Sequence, residues 1–316
     1  MSLPLALLAL VVGLVILVRA ADTFVAGAEA IAVHRRWSPA VIGAVIVGFG
    51  TSLPELVTSV IAAFGGQPDL ALGNAAGSNV ANLLLILGVA ALVSPIVGTR
   101  DQAPRRDGLI AGVASVLLLG VAFDGRIGAV EGGVLVLALL AAIVWQVRTA
   151  RSGDVATELP LAVPERFVGV RVVGGLLGVL VGAQLLVAGA TDLAERAGLP
   201  EIVIGSLLVA VGTSLPELAT AIASARRGQV EILLGNLLGS NAFNALMVVG
   251  ASALVGAGRG DGFPVDGAAL AVVAAAAVIT GLAALILSRR PVITRPVGAA
   301  LVALHVASVP VLLAIS

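Results

Sequence analysis

One stretch of this chain occurs twice. Gly50 to Asn82 reads GTSLPELVTSVIAAFGGQPDLALGNAAGSNVAN, and Gly212 to Asn244 reads GTSLPELATAIASARRGQVEILLGNLLGSNAFN. Glu55 and Glu217 are 162 positions apart, as are Asn82 and Asn244, so nothing is inserted between the copies of the stretch. The match reaches upstream, Ala26-Gly27-Ala28 answering Ala188-Gly189-Ala190 at the same offset. Each copy places a carboxylate and several amides in a segment long and apolar enough to lie in lipid, where polar groups are costly and rarely idle. The surrounding composition agrees. The chain is 59% hydrophobic and 11% charged, whereas a soluble protein carries about a quarter charged residues. The fold class this implies is an all-α membrane protein.

Apolar runs of about 20 residues divide the 316 residues into ten expected spans: 4–33, 39–64, 69–94, 107–123, 127–147, 167–195, 200–225, 230–256, 265–287 and 293–315. The first run, Leu3 to Val18, lacks a positive leader and reads as a retained helix rather than a signal peptide. Loops after odd-numbered spans hold fourteen arginines and loops after even-numbered spans three, Arg126, Arg196 and Arg259. Positive short loops stay on the cytoplasmic side, which puts both termini outside a multi-pass protein of the plasma (inner) membrane. Residues 149–165 include Ser152, Gly153, Pro160 and Pro164 and read as a cytoplasmic linker. It separates a first five-helix repeat, 1–148, from a second, 166–316. An odd number of spans per repeat turns the two halves upside down relative to one another, a transporter plan that places the site near the midplane. The net charge is zero, which gives no sign of a nucleic-acid partner. The absence of cysteine excludes disulfides and thiolate chemistry. The expected partners are ions and the lipid bilayer, and no residue pattern specifies an oligomer.

The candidate site follows from residue types. Pro54 and Pro216 lack an N–H and clash with the carbonyl four residues back, so each is expected to free backbone oxygen at membrane depth, tolerated only against protein, water or an ion. Thr51 and Ser52 share a helical face with Glu55, and Thr213 and Ser214 with Glu217. Asn74, Ser78 and Asn82 recur every four residues along one stripe, repeated by Asn236, Ser240 and Asn244, with Gly73 and Gly77 leaving room for close helix approach. These are hard oxygen ligands, suited to sodium or calcium and not to zinc or copper. Two carboxylates balance one calcium. Emptied, they repel by on the order of several kcal/mol at intermediate dielectric, so the site is expected to refill with sodium or protons before it reorients. That favours exchange over leak.

At these residues the chain resembles the cation/calcium exchanger superfamily, most closely its prokaryotic sodium/calcium exchangers. The doubled G-T-S-L-P-E and G-N-x-x-G-S-N-x-x-N look like that family's paired repeats. The resemblance implies alternating-access exchange of sodium against calcium without a cofactor, the long first and sixth helices sliding over a stationary core. It implies ion ligation by Thr51, Ser52, Glu55, Ser78, Asn82, Thr213, Ser214, Glu217 and Ser240, and by backbone carbonyls at Gly48 and Ala210. Some relatives carry Asp where this chain has Asn244, which alters the total charge of the site.

Three other readings stand beside this one. The same carboxylates suit proton-coupled cation exchange. A passive cation channel would need a continuous filter motif, which the chain lacks. An intramembrane hydrolase using Ser52 or Ser214 has no arranged base beyond the glutamates; the chain is read as a transporter, not an enzyme. Among the remaining polar residues, Asn79 and Asn241 lie off the stripe and are expected to make structural hydrogen bonds. Thr58 and Thr220 are expected to pack, and Arg19 and Asp22 to pair or snorkel.

Overall fold

The computed structural model describes residues 1–97, 103–149, 164–197, 210–258, 263–287 and 292–315. The chain is helical almost throughout. In order the helices are α1 (Leu3–Arg35), α2 (Pro39–Thr51), α3 (Leu53–Phe64), α4 (Pro68–Val93), α5 (Ala103–Ala122), α6 (Ala129–Thr149), α7 (Glu165–Arg196), α8 (Ala210–Thr213), α9 (Leu215–Arg226), α10 (Val230–Ala257), α11 (Gly267–Leu287) and α12 (Arg295–Ile315). Six of them, α1, α4, α6, α7, α10 and α11, are long and apolar enough to cross a membrane, and the bent pair α2–α3 adds a seventh. Of the expected linker 149–165, Thr149 and Glu165 belong to the flanking helices, and residues 150–163, like the stretch 198–209, which holds the start of the expected seventh span, lie outside the described residues.

Two helices are central. α10 is 94% buried over its apolar window and α4 67%, against 22% for α1 and 28% for α7 and α11. The outer helices instead present Leu, Val and Ile outward, as a lipid-facing surface requires.

Glycines bring the backbones together. α1 and α7 run antiparallel along their length. A Cβ at Gly189 would lie 2.7 Å from the Ala6 carbonyl oxygen, one at Gly182 2.6 Å from the Leu17 nitrogen, and one at Gly175 2.7 Å from Phe24 Cα. At 1.5 Å per residue each helix is roughly 50 Å long, well over the ~30 Å of hydrocarbon. α2 crosses α10 closer still, with Gly43 on Ile232 and Gly235 on Ala40. Gly235 and Gly239 thus make the close approach expected of this motif. At their counterparts Gly73 and Gly77, named in the sequence for the same role, no atom lies within 4 Å of a Cβ among the described residues.

The turns repeat with the sequence. Gly66 (φ 78°) and Gly228 (φ 70°) sit 162 residues apart in the left-handed region, which glycine enters without strain. The following amide closes each turn, Gln67 N–H on the Ala62 carbonyl at 2.9 Å and Gln229 N–H on that of Ser224 at 2.8 Å. Outside the helices, β1 (Arg126–Ile127) pairs antiparallel with β2 (Phe263–Pro264), and Ile96 bridges Ile293. The loop after α4 therefore meets the loop before α12, and the loop before α6 meets the loop after α10.

Candidate ion site

Both glutamates sit one turn beyond a helix break. Ser52 leaves helical geometry (φ −83°, ψ 8°) and Ser214 does the same (φ −89°, ψ 3°). Pro54 and Pro216 stand at the starts of α3 and α9, where a missing N–H costs nothing. The first break bends α2 against α3 by 44°. The expected disruption is real, but it falls at the serine. α2 also widens into a π-turn over Gly43–Gly48, and α4 and α10 do so over Asn82–Ile86 and Asn244–Val248. The last two open at the candidate asparagines. Such turns are rare and concentrate at functional sites, and no spacing rule in the sequence announced them.

The structure brings the predicted residues of the two halves together. Ser52 Oγ donates to Glu217 Oε1 at 2.8 Å, and Ser214 Oγ donates to Glu55 Oε1 at 3.2 Å, so each half's serine holds the other half's carboxylate. Ser214 also meets Ser78, Oγ to Oγ, at 3.4 Å. The Thr213 hydroxyl faces Glu55 as well, and those of Thr51 and Ser240 face Glu217. The Gly48 carbonyl lies at the same place, accepting from Ser240 Oγ at 3.1 Å and Thr51 Oγ1 at 3.2 Å. A Cβ at Gly48 would stand 2.8 Å from the Asn236 carbonyl oxygen, so the residue's size sets this approach. Ala210 opens α8, with its side chain outside the described residues. Glu55, Glu217, Ser78, Ser240, Asn82, Asn244 and the four hydroxyls before the prolines are all buried, none more than 7% exposed.

Second contacts orient this group. Asn74 Nδ2 donates to the Glu55 carbonyl at 3.3 Å and to Ser59 Oγ at 2.9 Å. Asn236 Nδ2 donates to Thr220 Oγ1 at 3.0 Å, and Thr220 donates to the Pro216 carbonyl at 2.8 Å. Thr220 therefore does more than pack, and Ser59 fills the equivalent role in the first half. The sequence hid this because the two roles fall at positions one residue out of register. Asn79 and Asn241 make the structural hydrogen bonds expected of them, each Nδ2 on the other's backbone carbonyl, at 3.1 and 3.2 Å. Arg19 and Asp22 make no ion pair among the described residues, and Arg19 is exposed.

Four buried oxygens of the group have no hydrogen-bond partner among the described residues: Glu55 Oε2, Glu217 Oε2, Asn82 Oδ1 and Asn244 Oδ1. Buried polar atoms are nearly always satisfied, and all four are acceptors. No group of three or more His, Cys, Asp or Glu side chains assembles among the described residues. The chemistry on offer is two carboxylates amid neutral oxygens, the donor set of a hard cation.

Comparison with known proteins identifies the family. The sodium/calcium exchanger protein family model matches residues 5–148 and 168–314. The putative antiporter CaxA of Alkalimonas amylolytica is 37% identical over 257 residues, covering 78% of this chain and 80% of that protein. The inner membrane protein YrbG of Escherichia coli is 35% identical, covering 80% of each. The sodium/calcium exchanger MaX1 of Methanosarcina acetivorans is 31% identical, covering 78% and 82%. A solved structure of the sodium-calcium exchanger NCX_Mj, soaked with Na+ and Sr2+, superposes with a TM-score of 0.85 at 30% identity over 98% of both chains. This chain belongs to the sodium/calcium exchanger protein family.

Proposed function

We propose that this protein is a secondary active antiporter that exchanges calcium for sodium across the inner membrane by alternating access. The observation that carries the reading is the reciprocal hold of Ser52 on Glu217 and Ser214 on Glu55, around four buried oxygens with no hydrogen-bond partner among the described residues. Glu55, Glu217, Asn82 and Asn244 supply those oxygens to the ion. Thr51, Ser52, Ser78, Thr213, Ser214 and Ser240, with the carbonyls of Gly48 and Ala210, are the further oxygens from which the six to eight that calcium takes are drawn. Two carboxylates neutralise one calcium. When it leaves, their mutual repulsion and the cost of bare buried charge oppose reorientation. Sodium ions entering the same oxygens relieve both, which couples the two fluxes.

The architecture in this reading has ten spans as two inverted repeats, 1–148 and 166–316, joined by a cytoplasmic linker, with both termini outside. Support comes from the two separate blocks of the family match, the antiparallel pairing of α1 with α7, and the exchanged loop contacts at Ile96–Ile293 and β1–β2. The arginine bias of the loops sets the orientation. A single cysteine placed at residue 2 of this cysteine-free chain should react with an impermeant thiol reagent from outside the cell, and labelling only from inside would reverse the topology.

The deciding measurement is calcium-45 uptake into vesicles loaded with sodium. Uptake should follow the outward sodium gradient and stop when sodium is equal on both sides. Calcium movement driven by a pH gradient without sodium would make the coupling ion a proton instead.

A further inference from the structure

We infer that Asn79 and Asn241 are positioning residues that turn the carboxamides of Asn82 and Asn244 oxygen-first toward the bound cation. The inference rests on the exchange site proposed above and adds to it two residues that do not themselves touch the ion.

The argument starts from a backbone carbonyl, which can only accept. Asn79 points one end of its amide at the Asn241 carbonyl, 3.1 Å away, so that end is Nδ2. Its other end is therefore Oδ1, which also can only accept. What meets it is the Asn244 carboxamide at 3.2 Å, so Asn244 must bring Nδ2. That leaves Asn244 Oδ1 facing elsewhere, and it is buried without a hydrogen-bond partner among the described residues. The mirror chain runs through the other half. Asn241 Nδ2 donates to the Asn79 carbonyl at 3.2 Å, Asn241 Oδ1 accepts from Asn82 Nδ2 at 2.9 Å, and Asn82 Oδ1 is left without a partner among the described residues.

An amide viewed alone has two ends of nearly equal size, one suited to a cation and one that repels it. Nothing in the shape of the Asn82 or Asn244 side chain selects the end presented. The selection is made through two hydrogen bonds by a main-chain carbonyl, which no side-chain rotation can invert. The pairs 79/241 and 82/244 are each 162 apart, and every bond in the ring crosses between the halves. Neither repeat can set its own asparagine.

The test exploits aspartate, whose two ends are both oxygen. Asn79→Ala removes the group that tells the ends of Asn244 apart. In proteoliposomes at fixed sodium load, it should raise the calcium KM about tenfold with little change in maximal rate, the loss expected for one oriented contact to a charge. In an Asn244→Asp background the same substitution should change KM by less than about twofold, because orientation no longer matters. An equal fold-change in both backgrounds would mean that Asn79 only holds helices together, and would overturn the proposal. Asn79→Ser, gentler on packing, gives the same comparison, as does the mirror set Asn241→Ala with Asn82→Asp. Calcium-dependent melting shifts of the same purified proteins follow binding without transport. Sodium-independent uptake by the unmodified protein would sink the exchange reading, while the melting shifts would still decide the orientation proposal.

Discussion

Glu55 and Glu217 are the two carboxylates of the candidate site, and their surroundings show how two acids are accommodated in one buried place. Each accepts from a serine of the opposite half, and each keeps one oxygen without a hydrogen-bond donor among the described residues. Glu55→Gln and Glu217→Gln change one atom apiece and remove half the negative charge. Each should abolish sodium-driven calcium uptake while the protein still inserts; normal exchange by either variant refutes the assignment. The same pair predicts a ligand effect on stability. Calcium at about 100 times its dissociation constant should add roughly 2.7 kcal/mol to the folded state, seen as a higher melting temperature. Glu55→Gln should lose most of that shift, and an undiminished shift would place the ion elsewhere. Thr220 shows what residue-level reading missed. Its hydroxyl holds Asn236 in the second half, whereas Ser59 holds Asn74 in the first. A fixed-offset comparison sets Thr220 against Thr58 and passes over Ser59.

At the scale of elements, the site depends on helices that are broken and widened where they meet. Ser52 and Ser214 interrupt the helices before the glutamates, and π-turns open at Asn82 and Asn244. The prolines made the breaks legible in advance; the π-turns answer to tertiary packing and had no local signal. The α2–α10 crossing supports all of this through Gly43, Gly48, Gly235 and Gly239. A Cβ at Gly235 would lie 2.1 Å from the Ala40 carbonyl oxygen, a backbone atom that cannot swing aside. Gly235→Ala should therefore destabilise by about 1–3 kcal/mol, the usual cost of overpacking, and lower the melting temperature in detergent. An unchanged melting temperature would show that the crossing yields more easily than its geometry implies.

For the whole molecule, α1 and α7 form a glycine-locked pair that meets the rest through a smooth apolar face. Leu17, Ala21 and Val25 of α1 pack in one cluster with Leu215, Ala219 and Ala223 of α9. The polar tie at its end is Glu29, which pairs with Arg227 at 2.7 Å and accepts from Gln229 Nε2 at 3.0 Å. A partly exposed pair of this kind is worth about 1 kcal/mol or less, so it yields to motion. If the pair slides during exchange, a covalent tie at this point should stop it. Cysteines at 29 and 227, joined by a short reducible bis-thiol linker, should block calcium uptake, and reduction should restore it. Full exchange with complete cross-linking would mean that α1 does not move relative to the α9–α10 turn.

The linear chain alone settled that this is a membrane protein in which one stretch occurs twice, and which oxygens it carries in duplicate. Composition, offset and charge bias are local or additive properties, and they survive without knowing the fold. The tertiary structure decided which oxygens are buried without a hydrogen-bond partner among the described residues and which hold one another. That choice rests on hydrogen bonds between residues about 160 positions apart, such as Asn79 to Asn241 and Ser52 to Glu217. An asparagine or serine reads the same in sequence whether it ligates or positions. Only the partner brought against it by folding tells the two apart.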